Sequence, residues 1–107
     1  MASVFTTVSP SNGVVVVRFP EQVLGGSQSV ELAAHVRAAL ADDATTIIFD
    51  LEPVEFMNST GLGLLVASLA TIRQSTASLQ LMAVPASVQS LLQITQLSQV
   101  FSIVESA

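Results

Sequence analysis

Two neighbouring segments in the middle of the chain leave little choice of fold. Thr46-Ile47-Ile48-Phe49-Asp50-Leu51 is rich in β-branched and aromatic residues and reads as a strand. Pro53 has no N–H to give a sheet, so that strand must end near Glu52. Soon after, Asn58-Ser59-Thr60 opens a helix whose apolar residues Leu62, Leu65, Val66, Leu69 and Ile72 recur at helical spacing. A strong strand that feeds an amphipathic helix calls for a crossover onto a parallel neighbour, and such crossovers are right-handed.

The flanking segments extend the pattern. Ser3 to Val8 reads as a strand, and Ser9-Pro10-Ser11-Asn12-Gly13 as a turn with Asn-Gly at its tip. Val14 to Val17, running into Arg18-Phe19, reads as an antiparallel partner buried on both faces. Pro20 ends it, and Glu21 to Ser27 reads as a loop. Ser27 or Ser29 caps a first helix, with Glu31 in its first turn and Leu32, Val36, Ala39 and Leu40 on its inner face. Ala41-Asp42-Asp43 closes that helix. Val54 to Met57 reads as a connector with alternating burial. Leu79 to Val84 is a further strand, and Pro85 starts a third helix with Val88, Leu91, Leu92 and Thr95 inside. Val100 to Val104 is a short final strand. The order is β-β-α-β-α-β-α-β in one α/β domain, residues 1–107, with a mixed, mainly parallel sheet of four to five strands.

Composition narrows the function. Half of the 107 residues are hydrophobic and only 10% are charged, so the chain can build a core. It has no Lys, and its three arginines, Arg18, Arg37 and Arg73, face eight acids for a net charge of -5. That balance opposes binding to nucleic acid or to an anionic membrane surface. With no Cys and one His, thiolate and His-rich metal sites are excluded, and no metal or cofactor is expected. The apolar run Leu62 to Ile72 is too short to span a bilayer, and the N-terminus lacks a signal-peptide pattern. The expected location is the cytoplasm.

Catalytic constellations are poor. There is no Gly-x-Ser-x-Gly elbow, and His35 falls mid-helix beside the apolar face. The pairs Glu52/Glu55 and Asp42/Asp43 read as solvated loop acids. Gly61-Leu62-Gly63 lacks the third small residue of a dinucleotide fingerprint, since position 66 is Val. The chain is therefore expected to be no enzyme. Asn58 to Gly61 is the informative segment. Capping explains Asn58 and Ser59, but not two glycines in the first helical turn, each costing about 1 kcal/mol relative to Ala. Small residues there leave backbone and hydroxyls open to an approaching macromolecule. A hydroxyl at that position also sits where free N–H groups receive a phosphate. From Gln74 to Val104, 31 residues carry no charged side chain, which suits a docking face or a homodimer contact.

These residues resemble a known family. Ile47-Ile48-Phe49-Asp50-Leu51, Val54, Phe56-Met57, Ser59-Thr60-Gly61-Leu62-Gly63 and Leu65 are similar to the central motif of STAS domains. Leu92, Thr95, Leu97, Phe101 and Ile103 resemble that family's last helix and tail. The resemblance implies the STAS fold over nearly the whole chain. It also implies an anti-sigma factor antagonist, which binds a serine-kinase anti-sigma factor and so frees a sigma factor. By the motif, the kinase would phosphorylate Ser59 and a phosphatase would reverse it. Asn58, Thr60, Gly61, Leu62, Gly63 and Leu64 would border the partner. Leu64, off the apolar stripe, is expected to be exposed.

The chain departs from the family pattern twice. Asn58 stands where many members carry Asp, and Arg18 to Leu24, a loop that the resemblance implies borders the partner surface, replaces a Gly-x-Leu-Asp-like turn. The alternative the resemblance allows is a non-switching scaffold or binding module in a stressosome-like or transporter-associated complex.

Overall fold

A computed structural model describes residues 4–105. The elements are β1 (Thr6–Ser11), β2 (Val14–Arg18), β3 (Gln22–Val23), α1 (Ser27–Ala41), β4 (Thr46–Asp50), β5 (Phe56–Met57), α2 (Ser59–Arg73), β6 (Ser78–Met82), α3 (Ala86–Ile94) and β7 (Ser102–Val104). Five strands form one sheet in the order β1-β2-β4-β6-β7, antiparallel at β1/β2 and parallel elsewhere. This is the mixed, mainly parallel sheet that the alternation of strands and helices demands. β3 and β5 form a separate two-stranded parallel ribbon.

Register explains the core. Val15, Ile47 and Leu79 are paired across three strands, as are Val17, Phe49 and Leu81. Both rows belong to one buried cluster with Leu32 and Val36 of α1, Leu65, Leu69 and Ile72 of α2, and Val88 and Leu92 of α3. Side chains alternate along a strand, so Val16 and Ile48 point to the opposite face. They are buried but stand outside that cluster. The Val run of β2 is thus buried on both faces, as its sequence implies.

Arg18 and Asp50 are register partners. Arg18 Nη1 donates to Asp50 Oδ2 at 2.6 Å, and the Glu52 N–H donates to Asp50 Oδ1 at 3.0 Å. Asp50 is only 6% exposed, so these donors replace the water it gives up. The arm from Arg18 to exposed Glu52, at 3.2 Å, adds little. Asp50→Ala is expected to cost about 1–3 kcal/mol, read as a drop of roughly 4–8 °C in Tm per kcal/mol. Glu52→Ala is expected to leave Tm nearly unchanged.

Several element boundaries differ from the expectations. β1 continues through Pro10 to Ser11, leaving Asn12-Gly13 as the turn; Pro10 is tolerated because β1 is an edge strand. Ser3 lies outside the described residues. The register of β1 shifts between Val8 and Ser11, and Ser9 Oγ donates to the Val14 carbonyl at 2.9 Å. α1 begins at Ser27 with Gly26 as its N-cap, so neither Ser27 nor Ser29 caps it. Ser29 Oγ instead donates to the Gly26 carbonyl at 2.8 Å. Glu31 falls beyond the first turn and accepts from the Phe5 N–H at 2.8 Å. β6 ends at Met82, and Ala83 takes a positive φ of 55° before α3. Thr95 is exposed rather than inward: it is the C-cap of α3, and its hydroxyl donates to the Leu91 and Leu92 carbonyls.

Candidate functional site

The β3/β5 ribbon seats the N-terminus of α2. Its pairing runs on to the Asn58 N–H, which donates to the Val23 carbonyl at 3.3 Å. Asn58 is the N-cap, in extended backbone conformation, and its side chain accepts from the Gly61 N–H at 2.7 Å. Its carbonyl accepts from the Leu62 N–H at 2.9 Å. Of the two candidate caps, Asn58 takes the role and Ser59 is released from it. Ser59 and Thr60 are the first two helical residues, both exposed. Neither hydroxyl has a hydrogen-bond partner among the described residues. A helix start leaves its first N–H groups open, with the positive end of the dipole behind them.

The two glycines do different things. A Cβ on Gly61 would collide with the Val23 carbonyl, so Gly61 is what lets the first turn lie against β3. A Cβ on Gly63 would meet nothing within 4 Å. Gly63 is exposed, and no packing requires it. Gly63→Ala is therefore expected to raise stability by about 0.5–1 kcal/mol, measured by urea denaturation. If the bare backbone at Gly63 is approached by a partner, the same variant binds that partner more weakly.

The structure sorts the other sequence-predicted residues. Leu62 is buried beneath the turn. Leu64 is 8% exposed, contrary to the expectation, while Val66 of the predicted stripe is 40% exposed. The reason is that α2 packs against α1 as well as the sheet, so its apolar arc is wider than one stripe. Leu64 faces that seam, beside Leu32 and Val36.

The exposed apolar residues near Ser59 come from the ribbon instead. Phe56 is 53% exposed and Leu24 is 44% exposed. Gln22 pairs with Phe56, so Leu24, two residues on, points to the same outer side. The loop holding Leu24 is fixed by Gln28, which is buried. Its side-chain oxygen accepts from the Leu24 and Gly25 N–H groups at 2.8 and 3.0 Å, and its nitrogen donates to the Gln22 carbonyl at 2.7 Å. Gly25, at φ 96°, lies against Thr60 with no room for a Cβ. Sequence reasoning missed Gln28, Phe56 and Leu24 as site residues; only the placement of residues 18 to 24 beside the partner surface pointed there. His35 is not brought to Ser59. It sits against β1, where its Nδ1 is 2.6 Å from Thr7 Oγ1. Among the described residues no cluster of three metal-ligating side chains occurs, and no helix is long and apolar enough to cross a membrane.

A family model matches nearly the whole chain. The STAS domain model covers residues 7–107. The chain belongs to the STAS domain family. The anti-sigma-F factor antagonist RsfB of Mycobacterium tuberculosis is 36% identical over 77 residues, 68% of this chain. The match spans 59% of the length of RsfB. Of solved structures, the anti-sigma factor antagonist SpoIIAA in its unphosphorylated form superposes with a TM-score of 0.78 at 21% identity, covering 97% of this chain and 89% of SpoIIAA. The Bacillus cell fate determinant SpoIIAA in its phosphorylated form gives a TM-score of 0.74 at 20% identity, covering 97% and 92%. These superpositions establish the fold of the present STAS domain.

Proposed function

We propose that this STAS domain is an anti-sigma factor antagonist that binds an anti-sigma factor of the serine-kinase kind and is switched off by phosphorylation of Ser59. The observation that carries this reading is an exposed, unpartnered Ser59 hydroxyl at an already capped helix start, beside exposed Leu24 and Phe56. Capping by Asn58 means Ser59 is not needed for the fold, so its hydroxyl is available for chemistry. The apolar rim supplies area that a partner can desolvate cheaply, and α3, from the uncharged segment, packs next to β5. A phosphate at Ser59 would add about -1.5 to -2 charge in the middle of that surface. A phosphatase would restore binding. The role is one of binding, not catalysis, and it belongs in the cytoplasm with the transcription machinery.

RsfB and SpoIIAA are named anti-sigma factor antagonists, and SpoIIAA has been solved with and without phosphate. Those properties are theirs; they support the same role here. The deciding experiment is site-localised mass spectrometry of the protein isolated from its host, coupled to capture of partners on unmodified protein. Phosphate on Ser59 together with a co-captured kinase-like anti-sigma factor is the expected result. Ser59 unmodified across growth and stress conditions would leave a constitutive binding or scaffold module instead.

A further inference from the structure

The chain holds two asparagines, Asn12 and Asn58, and the fold treats them in opposite ways. Asn58 is held. Its side chain accepts from the Gly61 N–H at 2.7 Å, which ties it to the first turn of α2. Asn12 stands at the tip of the β1–β2 hairpin, exposed, and its side chain has no hydrogen bond among the described residues. Gly13 follows it. The Gly13 carbonyl accepts from the Thr45 and Thr46 N–H groups at 2.8 and 3.1 Å, but the Gly13 N–H has no partner among the described residues. The amide carbon of Asn12 and the next nitrogen along the chain are therefore both free.

The surroundings favour a reaction between them. Both residues border a polar cleft of about 270 Å³ that they share with Ser9, His35 and Asp42, so water reaches them. Gly13 cannot be exchanged for a residue that would shield its nitrogen. Its φ is 81°, and a Cβ there would lie 2.9 Å from Thr45 Oγ1. The turn thus requires a residue without a side chain behind an asparagine that nothing holds.

We infer that Asn12 is a site of spontaneous covalent modification through a cyclic imide, and that the fold directs this reaction to Asn12 and withholds it from Asn58. The Gly13 nitrogen gives up its proton to solvent and bonds to Asn12 Cγ. The Cγ–Nδ2 bond breaks, and the Nδ2 amine takes a proton and leaves as ammonia. Water then opens the five-membered imide. Attack on Cγ breaks the bond just made and leaves an ordinary aspartyl residue. Attack on the backbone carbonyl carbon of Asn12 leaves an isoaspartyl linkage, whose main chain runs through Cβ and Cγ. Water is the only co-reactant. The two products differ in what they disturb. The aspartyl form adds one negative charge and breaks no hydrogen bond of the hairpin. The isoaspartyl form lengthens the main chain by one carbon just ahead of Gly13, whose carbonyl also accepts from Thr45 Oγ1 at 3.2 Å. That carbonyl ties the hairpin tip to the start of β4, beside the pair Val14 and Thr46, so the isoaspartyl form pulls on the β2/β4 ladder. The modification does not depend on the role proposed for Ser59.

The test is to incubate the full, folded chain at mildly alkaline pH and follow it by peptide-resolved mass spectrometry. A protein isoaspartyl methyltransferase with S-adenosylmethionine is the probe for the isoaspartyl form. Conversion of Asn12 to both products, with Asn58 intact, is expected. Asn12→Gln closes the larger ring only slowly and is expected to abolish the labelling. It should keep the parent's Tm, because the Asn12 side chain holds nothing. The isolated isoaspartyl form is expected to melt about 4–8 °C below the parent, the loss of one hydrogen bond at the tip, whereas Asn12→Asp melts with the parent. The proposal is overturned if Asn12 stays intact in the folded chain while it converts in urea-unfolded chain, since the hairpin then protects it. Conversion of Asn58 as fast as Asn12 in the folded chain overturns it too. So does labelling that persists in Asn12→Gln, or an isoaspartyl form that melts with the parent.

Discussion

Gly61→Ala is expected to be the most damaging single-methyl change in the molecule. The new Cβ would be driven into the Val23 carbonyl, and that carbonyl already accepts from Asn58 in the β3/β5 ribbon. A side chain could rotate away; a paired backbone carbonyl cannot move without unseating the ribbon or lifting the first turn of α2. Overpacking of a well-packed site costs about 1–3 kcal/mol and occasionally more, and this obstacle places Gly61→Ala at or above the top of that range. Against a total stability of about 5–15 kcal/mol for a small domain, that is a large share. Denaturant titration should show a sharply lowered midpoint, with the helical gain from Gly to Ala swamped. Gly63→Ala, two residues on, changes the same atoms and should move the midpoint the other way. Equal responses from the two glycines would contradict the packing described here.

Ser59→Asp is expected to separate binding from folding. A negative charge at the first helical position interacts favourably with the dipole, by about 0.3–1 kcal/mol, so the melting temperature should hold or rise slightly. The same charge at a desolvated interface, without a partner of opposite sign, costs about 2–5 kcal/mol, which is roughly 30-fold or more in affinity. Binding to the captured anti-sigma factor, measured by calorimetry, should fall by at least that factor. Ser59→Ala should keep binding and abolish phosphorylation, because Asn58, not Ser59, closes the helix start. Loss of binding and of stability together on Ser59→Asp would argue that the surface is structural.

Much of this arrangement is legible in the chain. The β-branched run at 14–17, the β-branched and aromatic run at 46–49, and Leu79 and Leu81 at period 2 predict the strands, and the observed register aligns them into two core rows. A cap at Asn58 or Ser59 and the helix after it follow from residue chemistry, and the structure gives the role to Asn58. The ribbon does not, because strands of two residues, Gln22–Val23 and Phe56–Met57, have no period to read. Leu64 and Val66 trade places because a helix packed on both a sheet and a second helix has a burial arc that one stripe does not describe. Gly61 and Gly63 are indistinguishable as letters. Only the nearness of Val23 separates a glycine that the fold requires from one that it does not.

The irregular outer strand has a consequence for how copies of the chain meet one another. β1 lies at the edge of the sheet with Pro10 in it, a shifted register and a serine side chain standing in for a ladder contact. A proline offers no N–H to an incoming chain, and a broken ladder offers no straight template. β7 closes the other edge with only three residues. Neither border therefore invites a second molecule to add on, strand by strand, into fibres. A blunted sheet border therefore keeps newly made copies from being lost to strand-by-strand aggregation.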